Sequence, residues 1–226
     1  EKSARLQSAP ALRLFYVAIN TKRGPLADPR VRQAINHAID VPTILDQLLA
    51  GRGVPAAGVI PRALDSSIAR RPYAYDTARA RRLLAEAGHA NGIDVELWAS
   101  QVPTFARLAQ SIQSYLNAVG IRAKIVQRDA PSVREAARNG QVDLVVKDWF
   151  ADYPDADAFL YPLLHSANHG VGGNLSFYAN PRVDSLVALA RRTVDEGQRA
   201  ALSRDADAAA FADAPIAYLF FYNELY

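Results

Sequence analysis

The chain has no cysteine and no methionine, and only two of its 226 residues are tryptophan. Without cysteine there is no disulfide, no thiolate metal site and no thiol nucleophile. That absence leaves the compartment open, because oxidising and reducing surroundings both tolerate a cysteine-free chain. No apolar run approaches the roughly 20 residues a helix needs to span a bilayer, and no signal peptide is expected within these residues. The chain opens at Glu1 in mid-phrase, without an initiator methionine, so a fragment or processed product is expected. A one-signed charge block is also missing. The formal charge of +3 is spread along the chain, with no lysine-rich tract interleaved with aromatics, which argues against nucleic acid. Arg79, Arg81 and Arg82 fall on a predicted helix with Leu83, Leu84 and Ala87, and read as its solvated face.

What is present is enough apolar residue, half the chain, to bury a substantial core. Residues 12–19 (LRLFYVAI) are a dense apolar run ending at Asn20, the pattern of a strand buried on both faces. Asp28-Pro29 reads as an N-cap followed by proline at the first helical position. Val31, Ala34, Ile35, Ala38 and Ile39 then share one helical face. Asp40 with Pro42 starts a second helix carrying Ile44, Leu45, Leu48 and Leu49, closed by Gly51. Residues 54–72, rich in proline and small side chains, are expected to lie irregularly across a surface. Asp76 caps a third helix, closed by Gly88.

From Ile93 strands and helices alternate: strands at 95–99, 123–127 and 142–146, helices at 104–118 and 132–138. The β-α-β-α-β order predicts parallel strands joined by right-handed crossovers, with a ligand crevice at their carboxyl ends. Ser100, Gln101 and Val102 lie on that edge after the first of these strands, and residues 149–155 after the third. A glycine-rich stretch, HSANHGVGGN, ends at Asn174. Helices follow at 181–194 and 198–211, then a final apolar strand at 216–222, which pairs with the first strand or with strands elsewhere.

The stretch 142–160, VDLVVKDWFADYPDADAFL, carries the most chemistry. A short apolar strand opens into Trp149, Asp152, Tyr153, Asp155 and Asp157. An aromatic wall beside a carboxylate suits a ligand with an apolar body and a cationic head. The same residues also read as a surface turn in which Pro154 and the aspartates cap the next helix, with Asp157 as its N-cap.

Taken in order, Asn20, then Pro25-Leu26-Ala27-Asp28-Pro29-Arg30-Val31-Arg32-Gln33-Ala34-Ile35-Asn36-His37-Ala38-Ile39-Asp40, resemble the signature of the extracytoplasmic solute-binding proteins that serve ABC importers as oligopeptide, dipeptide and nickel receptors. Tyr75-Asp76, Leu83 to Gly88, Gly120-Ile121, the Trp149 to Asp155 loop, Asn174, Asn180-Pro181 and Asp184 extend the similarity over nearly the whole chain. The resemblance implies the C-terminal lobe of a two-lobe receptor, with the N-terminal lobe and a final return segment lying outside these 226 residues. It implies a periplasmic-binding-protein type II-like α/β lobe, with a mostly parallel open sheet flanked by helices. The implied function is capture of a peptide-like solute between two lobes and delivery to ABC permease subunits, outside the cytoplasm, with no chemistry performed.

By the same resemblance Asp152 stands where peptide-binding relatives pair an aspartate with the ligand's α-amino group, and Trp149 where they line a side-chain pocket with an indole. The expected ligand-binding residues are Trp149, Asp152, Tyr153, Gln101, Phe105 and Asn174. Where oligopeptide-type relatives carry a basic residue just before the tryptophan, this chain has Val146 and Lys147. Thr104 and Arg107 do not clearly reproduce the arginine that dipeptide-type relatives use for the ligand carboxylate. The amine end of a peptide is therefore supported and the carboxylate end is not. A receptor for a metal chelate, sugar or opine, a signalling interaction module, and a hydrolase built on Asp152 and Asp155 are the competing readings. No metal and no cofactor is expected: His165 and His169 are four apart but set among glycines, and the acidic cluster lacks the glycine and distal glutamate of an EF-hand.

Overall fold

A computed structural model describes residues 8–225, so the chain start at Glu1 lies outside it. Its strands are β1 (Ser8–Ile19), β2 (Gly53–Pro55), β3 (Ile93–Ser100), β4 (Ile121–Arg128), β5 (Leu144–Phe150) and β6 (Ile216–Leu225). Its helices are α1 (Pro29–Ala38), α2 (Val41–Leu49), α3 (Thr77–Glu86), α4 (Pro103–Ala118), α5 (Ala130–Arg138), α6 (Asp157–Leu164), α7 (Pro181–Ala190) and α8 (Glu196–Asp213). The strands form one sheet in the order β2-β6-β1-β5-β3-β4. Parallel pairing holds within β5-β3-β4, whereas β1 runs antiparallel to both β5 and β6, and β2 antiparallel to β6. The expected parallel core is thus one half of a mixed sheet. The two apolar end strands, β1 and β6, pair with each other.

Alternation along the central strands divides the core. Phe15, Val17, Ile19, Leu144 and Val146 face α1 to α4. Leu14, Tyr16, Ala18 and Val145 face α5 to α8. Right-handed crossovers explain why α4 and α5 lie on opposite faces: β4 and β5 flank β3 on opposite sides, so the chain leaves β3 one way and returns the other. No helix among the described residues is long and apolar enough to cross a membrane.

The Asn20–Asp40 phrase that carries the family resemblance is architectural. Asp28 and Asp40 cap α1 and α2 through their carboxylates. Arg32, 5% exposed, donates to the Leu26, Ala27 and Asp213 carbonyl oxygens at 2.7–2.9 Å. Asn36 donates to the Ile216 carbonyl and accepts from the Tyr218 N–H, both at 3.0 Å. These bonds fasten α1 to the end of α8 and the start of β6, satisfying polar groups that water cannot reach.

Some elements differ from the sequence expectation. Strand β5 runs on through Trp149 to Phe150, because β1 pairs with it as far as Arg13↔Phe150. Strand β2 was not expected, since three residues ending in proline show no alternation and form a strand only by pairing with β6. Asp157 is not the N-cap of α6. It is the first helical residue, preceded by Ala156 in helical conformation, and its N–H donates to the Asp155 carboxylate at 2.9 Å. The irregular segment after β2 does more than cross a surface. Val59 is fully buried, and Arg70 holds Asp207 of α8 in an ion pair of 2.5 Å.

Candidate functional site

The change of direction at β3 opens a crevice at the carboxyl edge of the sheet, where α4 and α5 both begin. A cavity of about 160 Å³ sits there, bounded by Ser100 and Phe105 on one side, Ala130 and Arg134 on the other, and Lys147 below. A second cavity of about 270 Å³ continues from it along the α5 face, sharing Arg134, Lys147 and Asp148 and adding Arg138, Trp149 and the glycines at 170, 172 and 173.

Trp149 lies on the α5–α8 side of β5, opposite Leu14, and is partly buried. Its indole Nε1–H donates to the Ala158 carbonyl oxygen at 2.7 Å. That bond has a sequence cause: Pro162, four residues on, sits inside α6 without an N–H to offer Ala158. The indole replaces the missing donor. One edge of the ring is covered by Gly173, whose φ of +120° suits glycine and whose added Cβ would come within 3.2 Å of the ring. Trp149 is therefore both a cavity wall and a structural tie, where sequence reasoning gave it the crevice alone.

The other expected residues separate. Phe105 lines the first cavity and packs beside Phe15, ring centroids 6.0 Å apart. Gln101 is exposed on the same edge, its N–H bonded to Arg128. Asp152 is exposed, and its carboxylate makes no hydrogen bond or ion pair among the described residues. The loop that carries it is pinned at its base by the Ala151 N–H to Leu12. Tyr153 turns away toward a different cavity beside α7 and α8, where its hydroxyl donates to Asp157. Asn174 is 0% exposed. Its amide donates to the Tyr178 and His165 carbonyls, and its oxygen accepts from Ser176 and the Tyr178 N–H. With every polar atom engaged inside the fold, Asn174 is a latch for the glycine-rich loop and leaves the candidate ligand set.

His165 and His169 are likewise used locally. The Ala167 N–H donates to His165 Nδ1, and His169 Nε2 lies 2.8 Å from the Tyr178 carbonyl oxygen. Among the described residues no three His, Asp or Glu side chains gather for a metal.

Sequence reasoning did not single out Arg134 and Arg138. They stand one turn apart on α5, where i and i+4 share a face, and together with Lys147 they line the second cavity. Burial holds the Lys147 ammonium below its ordinary pKa; Asp148 pulls the other way, while Arg134 and Arg138 depress it further.

A family model, bacterial extracellular solute-binding proteins, family 5 (middle), matches residues 1–170. The chain belongs to this family. Over 222 residues it is 34% identical to the glutathione-binding protein GsiB of Pectobacterium atrosepticum, covering 95% of this chain and 43% of that protein. The structure of HbpA2 from Haemophilus parasuis superposes with a TM-score of 0.94 and 30% identity, over 98% of this chain and 45% of that one. The ABC transporter-associated periplasmic binding protein DppA from Helicobacter pylori, in complex with the peptide STSA, gives 0.90 and 27%, over 99% and 44%. The chain thus spans less than half the length of these relatives. Within the family segment, the α1 phrase supplies the frame, and Trp149 walls the second cavity while Asp152 stands exposed in the loop that follows.

Proposed function

We propose that this chain is the C-terminal, ligand-binding lobe of a two-lobe receptor that captures a peptide-like solute and delivers it to the permease of an ABC importer on the outer side of the cytoplasmic membrane. The observation that carries the reading is the Asp152 carboxylate, exposed and without a partner among the described residues, three residues beyond an indole that walls a cavity at the sheet's carboxyl edge. A free carboxylate at that place suits a ligand ammonium, and the indole supplies apolar area beside it. Phe105 and Gln101 extend the same surface across β3. The peptides named for two relatives, glutathione and STSA, are consistent with this ligand class. The crevice is open on one side, as half of a hinged site is before its second lobe closes. Native mass spectrometry of the full-length protein, purified without denaturation, tests the reading. The expected result is a bound mass corresponding to a short peptide or peptide conjugate, displaceable by added peptides. A sugar or metal chelate in its place would overturn the peptide class.

A further inference from the structure

Behind Trp149 the cavity wall carries more positive charge than the protein uses. Arg134, Arg138 and Lys147 make no side-chain hydrogen bond or ion pair among the described residues. Asp148, the acid that lines the same cavity, is taken up by Arg13, which reaches one of its oxygens at 2.7 and 3.0 Å. Glu135 lines an adjoining cavity with both arginines and forms no ion pair with either. Two arginines exposed on a helix are ordinary. A partly buried lysine beside them with no acid of its own is not, because each cation raises the cost of the next. The glycine-rich loop keeps this wall close: at Gly170, φ +69°, an added Cβ would meet the Arg138 carbonyl oxygen.

We propose that Arg134, Arg138 and Lys147 form a specificity pocket for an anionic side group of the solute, so that the preferred ligands are acidic peptides carrying a carboxylate beside Trp149. An entering carboxylate relieves the mutual repulsion of the three cations and gains charge-assisted hydrogen bonds, bidentate where an arginine fork meets it. The indole covers the apolar stem. The proposal rests on the peptide-receptor reading above and adds the ligand's charge.

The test uses the full-length protein and defined probes: trialanine, the three tripeptides with Glu in place of one alanine, their Gln counterparts, and C-terminally amidated forms of each. Calorimetry should show one position at which Glu binds at least about tenfold more tightly than Gln. In the Arg134→Gln/Arg138→Gln variant, both sites being exposed, that preference, taken as the ratio of Glu to Gln affinity within each protein, should fall to within about twofold. Amidation should cost the parent and the variant equally. The proposal is overturned if trialanine binds the parent with no Glu preference at any position, or if the preference survives in the variant. It is also overturned if the double substitution erases only the effect of amidation, since the pocket would then read a terminal carboxylate. If no peptide binds, trialanine included, the receptor reading itself fails and takes the pocket with it.

Discussion

The tie between Trp149 and α6 gives a quantitative prediction. Pro162 leaves the Ala158 carbonyl without its helical donor, and the Trp149 Nε1–H fills the place at 2.7 Å. Ala158 is 6% exposed, so water cannot readily substitute. Trp149→Phe keeps a ring in the wall but orphans that carbonyl, at a cost of about 1–3 kcal/mol of stability. Trp149→Ala also forfeits the buried part of the indole, on the order of 150 Å² or about 4 kcal/mol. Pro162→Ala restores a main-chain N–H to the helix, so Trp149→Phe should cost less in that background. The coupling should be about 1 kcal/mol or more in a double-mutant cycle. Urea unfolding with a common m-value measures all four corners. In the same samples Trp149→Phe should hold ligand affinity within a few-fold, whereas Trp149→Ala should weaken it by roughly 1–3 kcal/mol. A coupling of zero would refute the replaced-donor argument. Unchanged affinity of the folded Trp149→Ala protein would remove the indole from the ligand wall.

Lys147→Met should have opposite effects on folding and binding. Below the lowered pKa of Lys147 the folded protein bears the full cost of a partly desolvated ammonium, and that cost fades as pH rises toward the ordinary 10.5. Thermal melts of the ligand-free protein should therefore show Lys147→Met more stable near neutral pH, with the gain shrinking in alkaline buffer, while affinity for acidic peptides falls. Asn174→Ala strips partners from the Tyr178 main chain and from Ser176, and should cost about 3 kcal/mol in chemical denaturation. The ligand affinity of the protein that remains folded should be unchanged.

Much of the fold was legible in the residues because its punctuation is local. Asp28, Asp40, Asp76 and Asn180 each cap the helix the sequence places after them, and the apolar runs at either end of the chain become paired central strands. What stayed hidden is set by pairing at a distance. Trp149 belongs to β5 only because β1 continues alongside it, and a Gly-Val-Pro stretch becomes β2 only against β6. The site was half legible for a similar reason. Asp152 is a loop residue whose neighbours are local, so its exposure could be anticipated from the sequence around it. Asn174 resembled a loop polar residue as much as a ligand contact, and its four bonds all come from folding the glycine-rich loop around it. Arg134 and Arg138 gave one unused signal, a four-residue spacing on a short helix that starts at the crevice edge, but nothing local shows that Lys147 lies opposite them.

The central claim is that Asp152 receives the ammonium of a peptide-like solute. The direct measurement is calorimetric titration of the full-length protein with a tripeptide and with its N-acetylated form, before and after Asp152→Asn. The account predicts that the substitution weakens the free peptide by roughly one to two decades. The acetylated peptide should bind the parent poorly and be little affected by the change. Equal binding of the two peptides by the parent would contradict the claim and turn the search to a solute without an amine.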